Sequence, residues 1–92
     1  MASNFPTPIT VTAFYDKPLQ KITGTKSDPI IVNTGMPFII LLSNIFASYP
    51  EIEKQYPPGT LGLLLNGKPP TDFDVLQDGD KVFLIGANLL TR

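Results

Sequence analysis

The side chains able to do chemistry in this chain are few, and none is a cysteine or a histidine. Disulfides, thiolate chemistry and zinc or haem sites built on those residues are therefore excluded. So is the usual general base near neutral pH. Carboxylates, lysines and hydroxyls remain. Asp72, Asp74, Asp78 and Asp80 stand close together and raise the question of calcium. A hand-type calcium loop needs regularly alternating ligands and a closing bidentate glutamate, and no Glu follows Asp80. Turn chemistry explains Asp78 and Asp80 better, because Asp steadies turns by accepting from nearby backbone N–H groups. Lys54, Lys68 and Lys81 read as solvated. Two carboxylates could work as acid and base only if a pocket split their pKa values. The spacing suggests turns instead. No metal, no cofactor and no catalytic residue is expected, and the chain is not read as an enzyme.

The elements around these residues follow from hydropathy and breakers. Ile9 to Tyr15 alternates apolar and polar residues with high β-branched content, the pattern of a half-buried strand. Parity puts Ile9, Val11 and Ala13 on one face and Phe14 on the other, unless a bulge near Tyr15 shifts the register. Leu19 and Ile22 suggest one helical turn capped by a left-handed Gly24. Pro29 to Asn33 reads as a second strand, making a widened hairpin with the first. Thr34-Gly35-Met36-Pro37 reads as a helix start, with Thr34 as cap and Pro37 in the opening turn. Phe38, Leu41, Leu42, Ile45, Phe46 and Tyr49 then form one helical stripe facing a core, widened by Ile39 and Ile40. Pro50 ends or resets the helix, Glu51 to Tyr56 adds a further turn, and Pro57-Pro58-Gly59 breaks the chain.

Leu61 to Leu65 is an apolar run before Asn66-Gly67, a strong hairpin signal, and reads as a strand buried on both faces. Pro69 and Pro70 make the return arm short or place it at an edge. Phe73, Val75 and Leu76 are expected to anchor an irregular stretch to the core. Lys81 to Ile85 is the last strand. The sum is one domain over 1–92, with an N-terminal arm at 1–8 and a C-terminal tail at 86–92. Its class is α+β: a β-grasp with a mixed sheet of four to five strands on one main helix. The helix is expected to return the chain to a strand lying parallel beside the first.

Composition narrows the partners. The chain has 92 residues, 42% hydrophobic and 16% charged, a composition that packs. Seven basic residues against eight acidic ones leave no positive field for nucleic acid and no polybasic patch for lipid. No apolar run reaches the ~20 residues of a membrane span. MASNFPTP lacks the regions of a secretory signal, so a cytoplasmic location is expected.

The run LLLNGKPPTDFDVLQDGDKVFLI resembles the second half of the ubiquitin-like sulfur carriers of the ThiS/MoaD family. That family includes the small subunit of molybdopterin synthase and the thiamine-pathway carrier. The resemblance rests on Asn66-Gly67 after a strand and on the L-x-D-G-D-x-V pattern of Leu76, Asp78, Gly79, Asp80 and Val82. It extends in layout over residues 9 to 85. It implies a carrier whose terminal Gly-Gly is adenylated by an activating enzyme and converted to a thiocarboxylate. This sequence departs there: Gly86 is the nearest glycine, and Leu90 and Thr91 stand near where the family has its glycines, with Arg92 last. A narrow channel that admits glycine would collide with those side chains.

The expectation is therefore a non-covalent protein-interaction module on the sulfur-carrier scaffold. The alternative is a genuine sulfur carrier, in molybdopterin, thiamine or thiolation pathways, or a protein modifier, using an atypical or processed C-terminus. Its partner would be a protein, of the activating-enzyme or cofactor-synthesis kind. If Val82 and Leu84 point inward, Phe83 and Ile85 point outward. With Phe14 or Tyr15 from the neighbouring first strand they make the expected docking face.

Overall fold

The computed structural model describes residues 7–57 and 59–86. The elements are β1 (Pro8–Tyr15), α1 (Lys17–Thr23), β2 (Ser27–Asn33), α2 (Phe38–Ser48), α3 (Pro50–Gln55), β3 (Gly62–Leu65) and β4 (Lys81–Ile85). They form one four-stranded mixed sheet in the order β2-β1-β4-β3 with helices packed on it. That is the α+β, β-grasp arrangement. β1 is antiparallel to β2 and parallel to β4, and β3 is antiparallel to β4. The parallel neighbour of β1 is thus the last strand and not the one that directly follows the helices.

The core lies between α2 and the sheet. β1 contributes Ile9, Val11, Ala13 and Tyr15, and β4 contributes Val82 and Leu84. From α2 come Phe38, Leu41, Leu42 and Ile45, all at most 8% exposed. Phe46 and Tyr49 are half-buried, and Ile40 is 44% exposed, so the buried stripe is narrower than its hydropathy suggests. α1 ends as expected on Gly24, at φ 75°, whose N–H donates to the Gln20 carbonyl.

Three further expectations change. Thr34 does not cap α2, which opens at Pro37 with no capping side chain. The Phe38 and Ile39 N–H groups instead donate to the carbonyls of Asp74 (2.8 Å) and Asp72 (2.9 Å). A distant loop satisfies the donors that a helix start leaves open. That same loop does not anchor itself through Phe73 and Val75, which are 79% and 51% exposed; Leu76, at 1%, is its buried side chain. Backbone bonds hold it, including Leu76 N–H to the Met36 carbonyl at 2.9 Å. Finally, β3 is an edge strand, half-buried throughout, and not buried on both faces.

Asn66, Gly67 and the Asp78-Gly79-Asp80 turn tie strand ends together. Asn66 (φ 52°) and Gly67 (φ 86°) are both left-handed, the geometry of a type I′ turn. The Asn66 amide donates to Asp80 Oδ1 and accepts the Lys81 N–H, both at 2.9 Å. Asp80 Oδ2 accepts the Gln77 N–H at 2.7 Å, and Asp78 Oδ1 accepts the Thr10 N–H at 2.8 Å. Gly79 N–H then donates to the Thr10 carbonyl at 2.8 Å, extending the ladder along β1. Asp74 accepts the Thr71 N–H at 2.8 Å, which holds its carboxyl below the usual range. These aspartates fold the chain.

Asn66→Ala removes two side-chain bonds and forces a Cβ-bearing residue without a local partner into the left-handed region. A loss of about 2 kcal/mol in urea unfolding is expected. Asn66→Gly keeps the conformation and should lose less.

Candidate docking face

The sheet face turned away from α2 carries one continuous apolar rank. Leu64 pairs with Phe83, and Phe83 with Phe14, across three adjoining strands. The alternation that buries Val82 and Leu84 turns these three outward. β1 keeps its register with β2 from Pro8 to Phe14 without a bulge. Phe14 therefore faces outward. Its ring stacks on that of Phe83 with centroids 4.9 Å apart and 16° between planes. Such a stack contributes about 0.5–1.5 kcal/mol beyond the area it shields, yet both rings remain only half-buried.

Ile85 extends the face by one pair, opposite Gly62. A Cβ at Gly62 would stand 3.1 Å from the Ile85 Cβ, so the missing side chain gives Ile85 its room. The rim is polar: Thr12 pairs with Lys81 at one end, and Ser27 flanks Phe14 on β2. A hollow of about 300 Å³ adjoins the rank, lined by Phe14, Phe83 and Ile85 with Asp16, Gln20 and Lys26 around them. An apolar centre with a polar rim is the anatomy of a protein-binding surface.

Tyr15 does not belong to this face. With no bulge it shares the parity of Val11 and Ala13, and it is 4% exposed. Its hydroxyl donates to Asp28 Oδ2 at 2.9 Å, and the Tyr49 hydroxyl donates to the same oxygen at 2.8 Å. The two rings meet edge to face at 5.9 Å. Burial, then the Asp28 carboxylate, raises the Tyr15 phenol far above its ordinary range, and the hydrogen bond to Asp28 chiefly raises Tyr49. A raised pKa means that the folded chain keeps protons the unfolded chain gives up. The associated stability is whole below the unfolded phenol value of about 10 and falls as pH rises beyond it. Denaturation midpoints measured from pH 8 to 11 should drop above pH 10, and Tyr15→Phe should flatten that drop.

Where β4 ends, Gly86 is buried and its N–H donates to both oxygens of Asp16, each at 3.0 Å. A Cβ there would meet Tyr56 Oη at 2.8 Å, Tyr56 Cζ at 2.9 Å and Leu19 Cγ at 3.2 Å. Asp16, Leu19 and Tyr56 thus form a collar that only glycine passes without displacement. Gly86→Ala should lower stability by about 1–3 kcal/mol, read by thermal unfolding. Tyr56→Ala in the same chain should restore part of it. Leu90, Thr91 and Arg92 lie outside the described residues.

Phe14, Phe83 and Ile85 were legible as outward-facing residues; Leu64 was not. A run of leucines has no alternation to tell its two faces apart.

The fold is shared with solved structures. One is a Pyrococcus furiosus protein provisionally described as molybdopterin converting factor, subunit 1. It is 18% identical, with 84% of this chain and 95% of that chain covered and a TM-score of 0.75. Another is small archaeal modifier protein 1 of H. volcanii, 14% identical, with 84% and 95% covered and a TM-score of 0.73. No protein-family model and no curated protein matches the sequence. The architecture is therefore the β-grasp fold that these structures share. Among the described residues, no helix is long and apolar enough to cross a membrane.

Proposed function

We propose that the chain is a ubiquitin-like docking module that binds a protein partner non-covalently through the outer sheet face. The observation that carries this reading is the rank of Leu64, Phe83 and Phe14, apolar, only half-buried and on the sheet face turned away from α2. Its partner would be an activating-enzyme-like or cofactor-synthesis protein. Supporting this is the likeness to a structure described as one subunit of a converting factor.

A second reading is a sulfur carrier or protein modifier acting through an atypical or processed C-terminus. It is favoured by the likeness to a small archaeal modifier protein and by the collar that fixes where the chain leaves the sheet. One experiment separates the two. The chain is mixed with the activating enzyme of its own organism and a sulfide source, with and without ATP, and followed by equilibrium binding and intact mass. The docking reading expects ATP-independent binding and unchanged mass. A mass shift of a sulfur-for-oxygen exchange, or an adenylate, supports the second reading. No binding in either condition removes this class of partner.

A further inference from the structure

β2 is an edge strand, and half of its backbone faces away from the sheet. Tyr15 N–H donates to the Lys26 carbonyl and Thr34 N–H to the Thr7 carbonyl. Alternation in an antiparallel ladder then turns the polar groups of Asp28, Ile30 and Val32 toward β1, and those of Ser27, Pro29, Ile31 and Asn33 outward. Thr25 closes both backbone groups of Ser27, Pro29 has no N–H, and the Asn33 carbonyl takes the Met36 N–H. The carbonyls of Pro29 and Ile31 and the N–H groups of Ile31 and Asn33 have no protein partner among the described residues. They offer a short alternating run of acceptors and donors.

Beside this edge, between β2 and α2, lies a groove of about 380 Å³. Ile30 and Ile45 supply its apolar surface, and Asn44 and Ser48 its neutral polar one. Asp28 is the one charged residue that lines it among the described residues. Both phenols bond Asp28 Oδ2, while Oδ1 has no partner among the described residues. α2 carries no charged residue that could compensate.

From this juxtaposition we infer that β2 accepts an extended peptide of a partner protein as a fifth strand, with a Lys or Arg of that peptide reaching Asp28. An added strand uses the open backbone groups for affinity and alternate side chains for selection. Its inward residues fall at i and i+2. One would lie over Ile30 and Ile45 and favours an aliphatic chain; the other lies beside Asp28 and favours a cation. An acidic residue there would meet a like charge. Pro29 withholds one N–H, so the pairing rests on the Pro29 and Ile31 carbonyls and the Ile31 and Asn33 N–H groups. This surface is distinct from the Phe14–Phe83 face, so the inference stands apart from the docking reading.

The test uses the isotope-labelled chain and the acetylated peptide Thr-Lys-Thr-Val-Thr-Val-Thr-Lys-Thr, which sets Lys and Val on one face and reads alike in both directions. Saturable shifts at the Ile31 and Asn33 amides are expected. Asp28→Asn keeps an acceptor for both phenols but should weaken binding about tenfold. Ile31→Pro, which removes an outward N–H and an exposed side chain but no hydrogen bond to β1, should abolish binding. Replacing both lysines of the peptide with Glu should do the same. The inference is overturned by silence at Ile31 and Asn33 at millimolar peptide. Equal affinity for the Glu peptide, or undiminished affinity in the Asp28→Asn variant, also overturns it. Shifts at those amides that follow protein concentration alone would place a second copy there and overturn it too.

Discussion

Leu41→Ala should cost about 3–4 kcal/mol of unfolding free energy. Leu41 is fully buried at the centre of the α2 face, among Phe38, Leu42 and Ile45 and against the inner side of β1 and β4. Removing its isobutyl tip loses the transfer free energy of the buried methyl groups and leaves a cavity that a rigid sheet cannot close. A domain of this size has roughly 5–15 kcal/mol of stability in all. The midpoint of thermal unfolding should therefore fall by more than about 12 °C. Ile40→Ala, one residue away but 44% exposed, is the internal control, and surface changes of that kind stay within about 0.5 kcal/mol. Equal losses at the two positions would mean that α2 is rotated from the placement described.

Phe83→Glu should leave the fold intact and weaken partner binding by at least about thirtyfold. Phe83 sits at the middle of the outer rank, flanked by Leu64 on β3 and stacked on Phe14 of β1. Central aromatic residues that become desolvated on binding typically carry about 2 kcal/mol or more. A carboxylate there would have to be buried without a partner, since both cross-strand neighbours are hydrocarbon. Circular dichroism should be unchanged, because the position is only half-buried in the free chain. Ile40→Glu, on the helix side, should bind as wild type. If Ile40→Glu weakened binding and Phe83→Glu did not, the docking surface would be on the helix side.

What the sequence made legible was local. The alternation of Ile9 to Tyr15, the helical spacing of Phe38 to Ile45, the left-handed Gly24 and the Asn66-Gly67 turn each involve residues near one another in the chain, and each is found. What it hid was contact between distant segments. Nothing near Thr34 says that the carbonyls of Asp72 and Asp74 will satisfy the α2 N-terminus. Nothing within Leu61 to Leu65 says that β4 will be its partner strand. Phe73 and Val75 carry hydropathy that predicts burial, but the backbone bonds holding their loop turn both side chains to solvent. Three of the four expected docking residues share the outer face. The fourth, Tyr15, is inside because an unbroken strand keeps parity, and its hydroxyl is satisfied by a strand-two aspartate that no local pattern foretells.

The most direct test of the account is the footprint of a bound partner on the labelled chain. Cross-saturation from an unlabelled activating-enzyme partner should fall on Phe14, Leu64, Phe83 and Ile85 and spare Ile39, Ile40 and the exposed Phe73 loop. A footprint centred on α2 or on Phe73, with the Phe14–Phe83 stack untouched, would contradict it.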